Sequence, residues 1–158
     1  MSHTQHAKYL LAAGLLVAAV AVPTAAADGG PSGAPARSGG PDAAYDRVAH
    51  FYGAYIDVAA EGGAPGDNAL AAQLRKFYLT PALRKRLVDW EKKNDADGVL
   101  RAQNVPHAWQ VTAGDSGMGH TRSTVRLTWG TGKHVRYTYL TVRSDLETRK
   151  ISDITSKY

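Results

Sequence analysis

The residue pattern richest in potential chemistry is Asp95-x-Asp97-Gly98, two carboxylates and a glycine spaced as in part of a calcium loop. With Gly98 at the sixth place of such a loop, the first ligand position falls on Lys93 and the twelfth on Asn104. A cation and an amide there leave too few oxygens for Ca2+, so the segment is expected to be a turn whose aspartates accept from backbone N–H groups. Three imidazoles suit zinc, but His107, His120 and His134 stand near the starts of successive strand segments, which in a meander lie at opposite ends. His50, Asp57, Asp89 and Asp153 are the groups available to a proton-abstracting base, yet none forms a recognisable acid–base pair. No G-x-S-x-G or S-x-x-K arrangement supplies an activated nucleophile. The chain has no cysteine, which excludes thiol catalysis, disulfides and thiolate-bound metal, and no phosphate loop or dinucleotide fingerprint. No cofactor is expected.

Charge is the more informative signal. Between Arg75 and Lys93 there are seven cations against Asp89 and Glu91. Arg84, Lys85 and Arg86 lie beside the apolar positions Leu83 and Leu87, so they are expected to project outward, either as a solvated helix face or toward an anionic partner. A second set, including Arg122, Arg126, Arg136, Arg143 and Arg149, is spread over the C-terminal half. The aromatic residues Tyr52, Tyr55, Trp109 and Tyr137 are candidates to line a pocket if they do not simply fill the core. Asp153 joins them as a candidate carboxylate; it shares the parity of Ile151, opposite Ser152 and Ile154, and the pattern leaves open which pair faces inward.

These residues must be positioned by three regions of different texture. Residues 1–27 read as a secretory signal peptide: Lys8 precedes the uncharged run Tyr9–Val22, and Ala25-Ala26-Ala27 supplies the small residues of a cleavage site. As a helix that run spans about 21 Å, short of the roughly 30 Å of a bilayer core, so a cleaved leader and a secreted mature chain without a membrane span are expected. Residues 28–41 are rich in glycine and proline and read as a flexible linker. Residues 42–158 form the expected single domain. The 158-residue chain carries 19 Lys and Arg against 14 Asp and Glu, a mild excess that suits anionic extracellular surfaces and argues against nucleic acid.

Within the domain, Asp42 is expected to cap a first helix with Tyr45, Val48, Tyr52, Tyr55, Ile56 and Ala59 on its apolar side. Asp67 or Asn68 caps a second, faced by Leu70, Leu74, Phe77 and Tyr78, and Thr80-Pro81 opens a third, striped by Leu83, Leu87 and Trp90. Asn94–Pro106 reads as a polar, turn-rich connection. Strands follow at 108–113, 121–129, 135–143 and 149–155, joined as an antiparallel meander. Helices segregated from such a run of strands make an α+β fold.

Several short segments carry a resemblance. Phe51-Tyr52-x-x-Tyr55 on the opening helix, Phe77-Tyr78-Leu79-Thr80-Pro81-x-Leu83, Asp97-Gly98-Val99-Leu100-Arg101-Ala102-Gln103 and the final Lys150-Ile151-Ser152-Asp153-Ile154 resemble the nuclear transport factor 2-like (cystatin-like) superfamily. The chain is most similar there to an uncharacterised family of small exported bacterial domains of unknown function, with Arg149 or Lys150 where tryptophan is usual. The resemblance implies a cone: helices wrapped by a curved antiparallel sheet of about four strands, with a pocket at the open end. It implies no activity, because the superfamily includes enzymes, ligand binders and interaction domains. The expected function is therefore non-catalytic binding of a small ligand, or of an anionic extracellular polymer or protein. The alternatives are a small-pocket isomerase, dehydratase or hydrolase, and an exported inhibitor or cell-wall accessory module.

Overall fold

The computed structural model describes residues 39–62 and 68–156; the expected leader, most of the expected linker and the candidate cap Asp67 lie outside them. Helix α1 (Ala44–Ala60) turns Val48, Phe51, Tyr52, Tyr55, Ile56 and Ala59 inward at three- and four-residue spacing. Its start differs from expectation. Asp42 does not cap it; Ala43 occupies the cap with no side-chain bond, and Asp42 instead pairs with Arg149. Asp46 is buried, and its carboxylate accepts the Gly40 N–H at 2.6 Å. The end of the expected linker is thus fastened to α1, while Tyr45 stands exposed.

Helix α2 (Ala69–Tyr78) begins at Asn68, whose side chain accepts from the N–H groups of Leu70 and Ala71. It buries Ala71 and packs Leu74 and Tyr78 against the core, but leaves Leu70 and Phe77 in solvent. Helix α3 (Pro81–Asn94) opens as expected, with Thr80 accepting the Leu83 N–H and Pro81 in the first turn. Leu83 and Leu87 are buried, and Asp95 ends the helix in the left-handed conformation.

Four strands follow: β1 (Ala108–Gly117), β2 (His120–Trp129), β3 (Arg136–Asp145) and β4 (Ile151–Ser156), all antiparallel in the order β1-β2-β3-β4. The fold is α+β, three helices with a four-stranded antiparallel sheet. Alternation sends Ser123, Val125 and Leu127 of β2 and Leu140 and Val142 of β3 into the core with the helices. Gly53 lets α1 approach the sheet, since a β-carbon there would meet Trp109 Cζ2 at 2.9 Å.

Two local features were hidden in the pattern. The segment after α3 is no polar connection: Val99 and Leu100 are fully buried and plug the core. In β4, Ser144 pairs with Ile151 while Arg143 pairs with Asp153, a bulge at Ser152. The extra residue resets the alternation, so Ile151 and Ile154 both face inward although their parities differ.

The outer edge of β4 is covered. Leu79 bridges Ile151 in parallel, Thr80 N donates to the Ile151 carbonyl at 2.9 Å, and Arg86 and Arg101 donate to the carbonyls of Ser152 and Ile154.

Candidate functional site

The chemistry-bearing pattern Asp95-x-Asp97-Gly98 becomes a buried polar clasp. Asp97 Oδ1 accepts the N–H groups of Val99 and Leu100 at 2.8 and 2.7 Å, so the aspartate organises the turn as its spacing implied. Asp97 Oδ2 accepts the Tyr55 hydroxyl at 2.5 Å and Arg75 at 2.8 Å. Arg75 also donates to the Tyr55 oxygen at 2.6 Å and forks onto Glu91 at 2.7 and 3.1 Å, and Glu91 in turn accepts the Gly98 N–H at 2.8 Å. Tyr52 completes the arrangement by donating to the Val99 carbonyl at 3.3 Å.

The electrostatics follow from the geometry. Burial, reinforced by the Asp97 charge, pushes the hydroxyls of Tyr52 and Tyr55 well above the ordinary phenol range. Burial opposes the charge on Arg75, but its hydrogen bonds to Glu91 and the nearby Tyr55 and Asp97 more than reverse that and raise it. Asp97 is a buried carboxylate, and both its oxygens are engaged by the protein itself. The clasp is architecture: it ties α1, α2, α3 and the following turn together.

The other sequence candidates disperse. Tyr52 and Tyr55 are wholly buried in the core, and Trp109 packs beside Gly53 on the inner side of the sheet. Arg86 and Asp153 meet at 2.9 Å across α3 and β4. They border a groove of about 400 Å³ that also contains Trp90 and Arg101, the Arg101 guanidinium lying 4.3 Å from the Trp90 ring centre. Arg84 is half-buried and Lys85 is exposed, so the expected basic triplet is split between a paired, a partly covered and an exposed cation. His120 lies at one end of the sheet beside Asp145, whereas His107 N donates to Thr128 at the other. No group of three or more potential metal ligands occurs among the described residues.

Tyr137 points elsewhere, onto the outer face of the sheet. There the register sets Arg122 opposite Arg143, Thr124 opposite Thr141, Arg126 opposite Tyr139 and Thr128 opposite Tyr137. The Arg126 guanidinium lies 5.1 Å from the Tyr137 ring centre, and the rings of Tyr137 and Tyr139 are 6.5 Å apart. From Arg122 to Thr128 this strip runs about 20 Å along β2. Arginines directly opposite each other on a sheet are destabilising, yet Arg122 and Arg143 are so placed. The alternation of Arg122, Thr124, Arg126 and Thr128 is readable in the sequence; their pairing with Tyr139, Tyr137 and Arg143 depends on a register that is not.

The fold and this surface define a small α+β domain with a clasped interior and a basic, aromatic exterior. No family model matches the chain and no curated protein matches it. Among solved structures it is similar to a protein of unknown function from Bacteroides thetaiotaomicron VPI-5482, with a TM-score of 0.57, 23% identity, and coverage of 71% of this chain and 88% of that one. At that identity the likeness establishes the fold alone.

Proposed function

We propose that the protein is an exported, non-catalytic binding domain of the nuclear transport factor 2-like cone type, and that it holds an extended anionic polymer across the outer face of its sheet. One observation carries the reading: Arg122, Arg143 and Arg126 share a solvent-facing strip with two exposed tyrosines, and although Asp115 lines a groove with Arg122 and Arg143, no ion pair among the described residues joins it to either. Arg143 does face Asp153 on its other side, but that carboxylate is already taken by Arg86. Guanidinium groups recognise carboxylate or phosphate through paired N–H donors, the threonines add hydroxyls, and the rings give flat apolar surface. The exported setting rests on the leader-like residues 1–27 and supplies anionic wall polymers as partners.

Immobilised polygalacturonate is a suitable probe. The triple variant Arg122→Glu, Arg126→Glu, Arg143→Glu is expected to lose at least tenfold in retention at low salt. The variant Arg84→Glu, Lys85→Glu, Arg86→Glu makes the same change in charge on α3 and is expected to lose much less. Retention of the unaltered protein should fall as salt shortens the Debye length from about 10 Å at 0.1 M to about 3 Å at 1 M. Equal losses in the two variants would reduce the effect to net charge, and the proposed strip would be wrong.

A further inference from the structure

At its Arg122 end the basic strip runs into the β1–β2 hairpin. The ladder there pairs Ala113 with Ser123 and Ser116 with Thr121, so Gly114 and Asp115 together stand opposite Arg122 as a one-residue bulge. Unbroken alternation would give Asp115 the facing of Ala113, whose partner Ser123 is buried on the inner side of the sheet. The extra residue instead brings Asp115 to the outer face, where it lines one groove with Arg122 and Arg143. Gly114 allows the close approach, since a β-carbon there would meet the Arg122 carbonyl oxygen at 3.0 Å.

The groove has a volume of about 380 Å³, near the lower end of the range for small-molecule sites. It spans three strands, from Asp115 on β1 across Arg122 on β2 to Arg143 on β3. A bulge bends and twists its strand, and here the hairpin stands over the end of the strip, with Met118, 99% exposed, at the rim. This lip is fastened: Ser116 Oγ donates to the His120 carbonyl and Thr121 Oγ1 to the Asp115 carbonyl, both at 3.4 Å. Opposite charges line the groove without pairing. Among the described residues no ion pair or hydrogen bond engages the Asp115 carboxylate or either guanidinium. The other acids nearby are committed elsewhere: Asp145 accepts from Thr148 and lies 3.8 Å from His120, and Asp153 is held by Arg86.

We infer that the groove takes one end of the anionic polymer, seating a terminal sugar acid with its carboxylate on Arg122 and Arg143 and its ring hydroxyls on Asp115. The inference rests on the sheet strip as the binding face and adds which part of the polymer meets it. Guanidinium groups on adjacent strands present paired N–H donors to a carboxylate. An ionised aspartate only accepts, so Asp115 calls for a ligand that carries donors beside its negative group. A hydroxylated acid has them; a bare oxyanion does not. The hairpin stands where a chain lying along β2 would have to continue, so the groove suits a terminus and not a passing segment.

Partly hydrolysed polygalacturonate separates the two modes of binding. At constant mass of uronate, shorter chains carry more ends, and the amount of protein bound at saturation is expected to rise with the number of ends. Trigalacturonate should bind at one site per chain, measured by titration calorimetry. Asp115→Ala is expected to weaken it at least about tenfold, the loss typical when hydrogen bonds to a charged group are removed. Because Asp115 is exposed, the thermal midpoint of that variant should be unchanged. Charge alone predicts the reverse, since removing an acid makes the strip more basic. Unchanged or tighter binding of trigalacturonate by Asp115→Ala overturns the inference, as does a capacity that follows the mass of uronate instead of its ends. The triple variant Arg122→Glu, Arg126→Glu, Arg143→Glu keeps the two readings apart. If it retains the polymer undiminished, the strip itself has failed; if it loses the polymer while Asp115→Ala keeps the oligomer, only the seating of the end has.

Discussion

Replacing Asp97 by alanine is expected to cost at least about 3 kcal/mol of stability, the magnitude typical of breaking a buried ion pair from one side. The substitution strips Arg75 of one of its two carboxylates and deprives the Tyr55 hydroxyl of its acceptor. It also orphans the buried N–H groups of Val99 and Leu100. In a domain of this size that corresponds to a thermal midpoint lower by roughly 10–20 °C. Asp97→Asn, which keeps an oxygen for the turn but not the charge, should fall between the two. Calorimetry or urea unfolding decides the matter: a loss below about 1 kcal/mol in the alanine variant would mean that the clasp is ornamental and that core packing alone holds the segment.

The second large effect is an alkaline collapse. The hydroxyls of Tyr52 and Tyr55 are raised in the fold, chiefly by burial and then by the charge of Asp97, from an ordinary value of 10.0. Below pH 10 both states hold these protons, and the stability is fully present. Above it the unfolded chain releases them while the fold retains them, so stability falls as pH rises. Each retained proton contributes a slope of about 1.4 kcal/mol per pH unit, so the pair gives about 2.7. Denaturant midpoints measured from pH 9 to 12 should show this, with phenolate absorbance of the two buried rings appearing only on unfolding. Tyr52→Phe removes one contributor and should halve the slope. Complete phenolate formation in protein that remains folded would refute the burial argument.

Legibility in the sequence followed the range of the interactions. The cap at Asn68, the Thr80-Pro81 start and the alternation of Ser123, Val125 and Leu127 are local, and they could be read directly. The turn formed by Asp97 is also local, because its acceptor bonds reach only two and three residues onward. What escaped was everything that depends on distant residues or on one inserted residue. The partners of Asp97 on Tyr55 and Arg75 lie 42 and 22 positions away, and no periodicity connects them. The burial of Asp46 depends on Gly40, which belongs to the segment preceding the helix. The facing of β4 was undecidable by parity since the bulge at Ser152 breaks parity itself. Leu70 and Phe77 look like core residues to any helical pattern, which records apolar character but not whether another element covers it.

The covering of β4 has a consequence for how sheets of separate molecules can join. A strand edge with free backbone groups is a template for intermolecular pairing and, when both edges are free, for stacking without limit. Here one edge is blocked: the carbonyls of Ile151, Ser152 and Ile154 are occupied by Thr80, Arg86 and Arg101. Among the described residues only β1 is left at the other edge, and its register is already interrupted between Ala113 and Ser116. Strand addition is therefore one-sided. Two molecules joined along β1 would leave no further edge to extend, so the sheet cannot seed a fibril while α3 and the turn at Leu79–Thr80 stay in place.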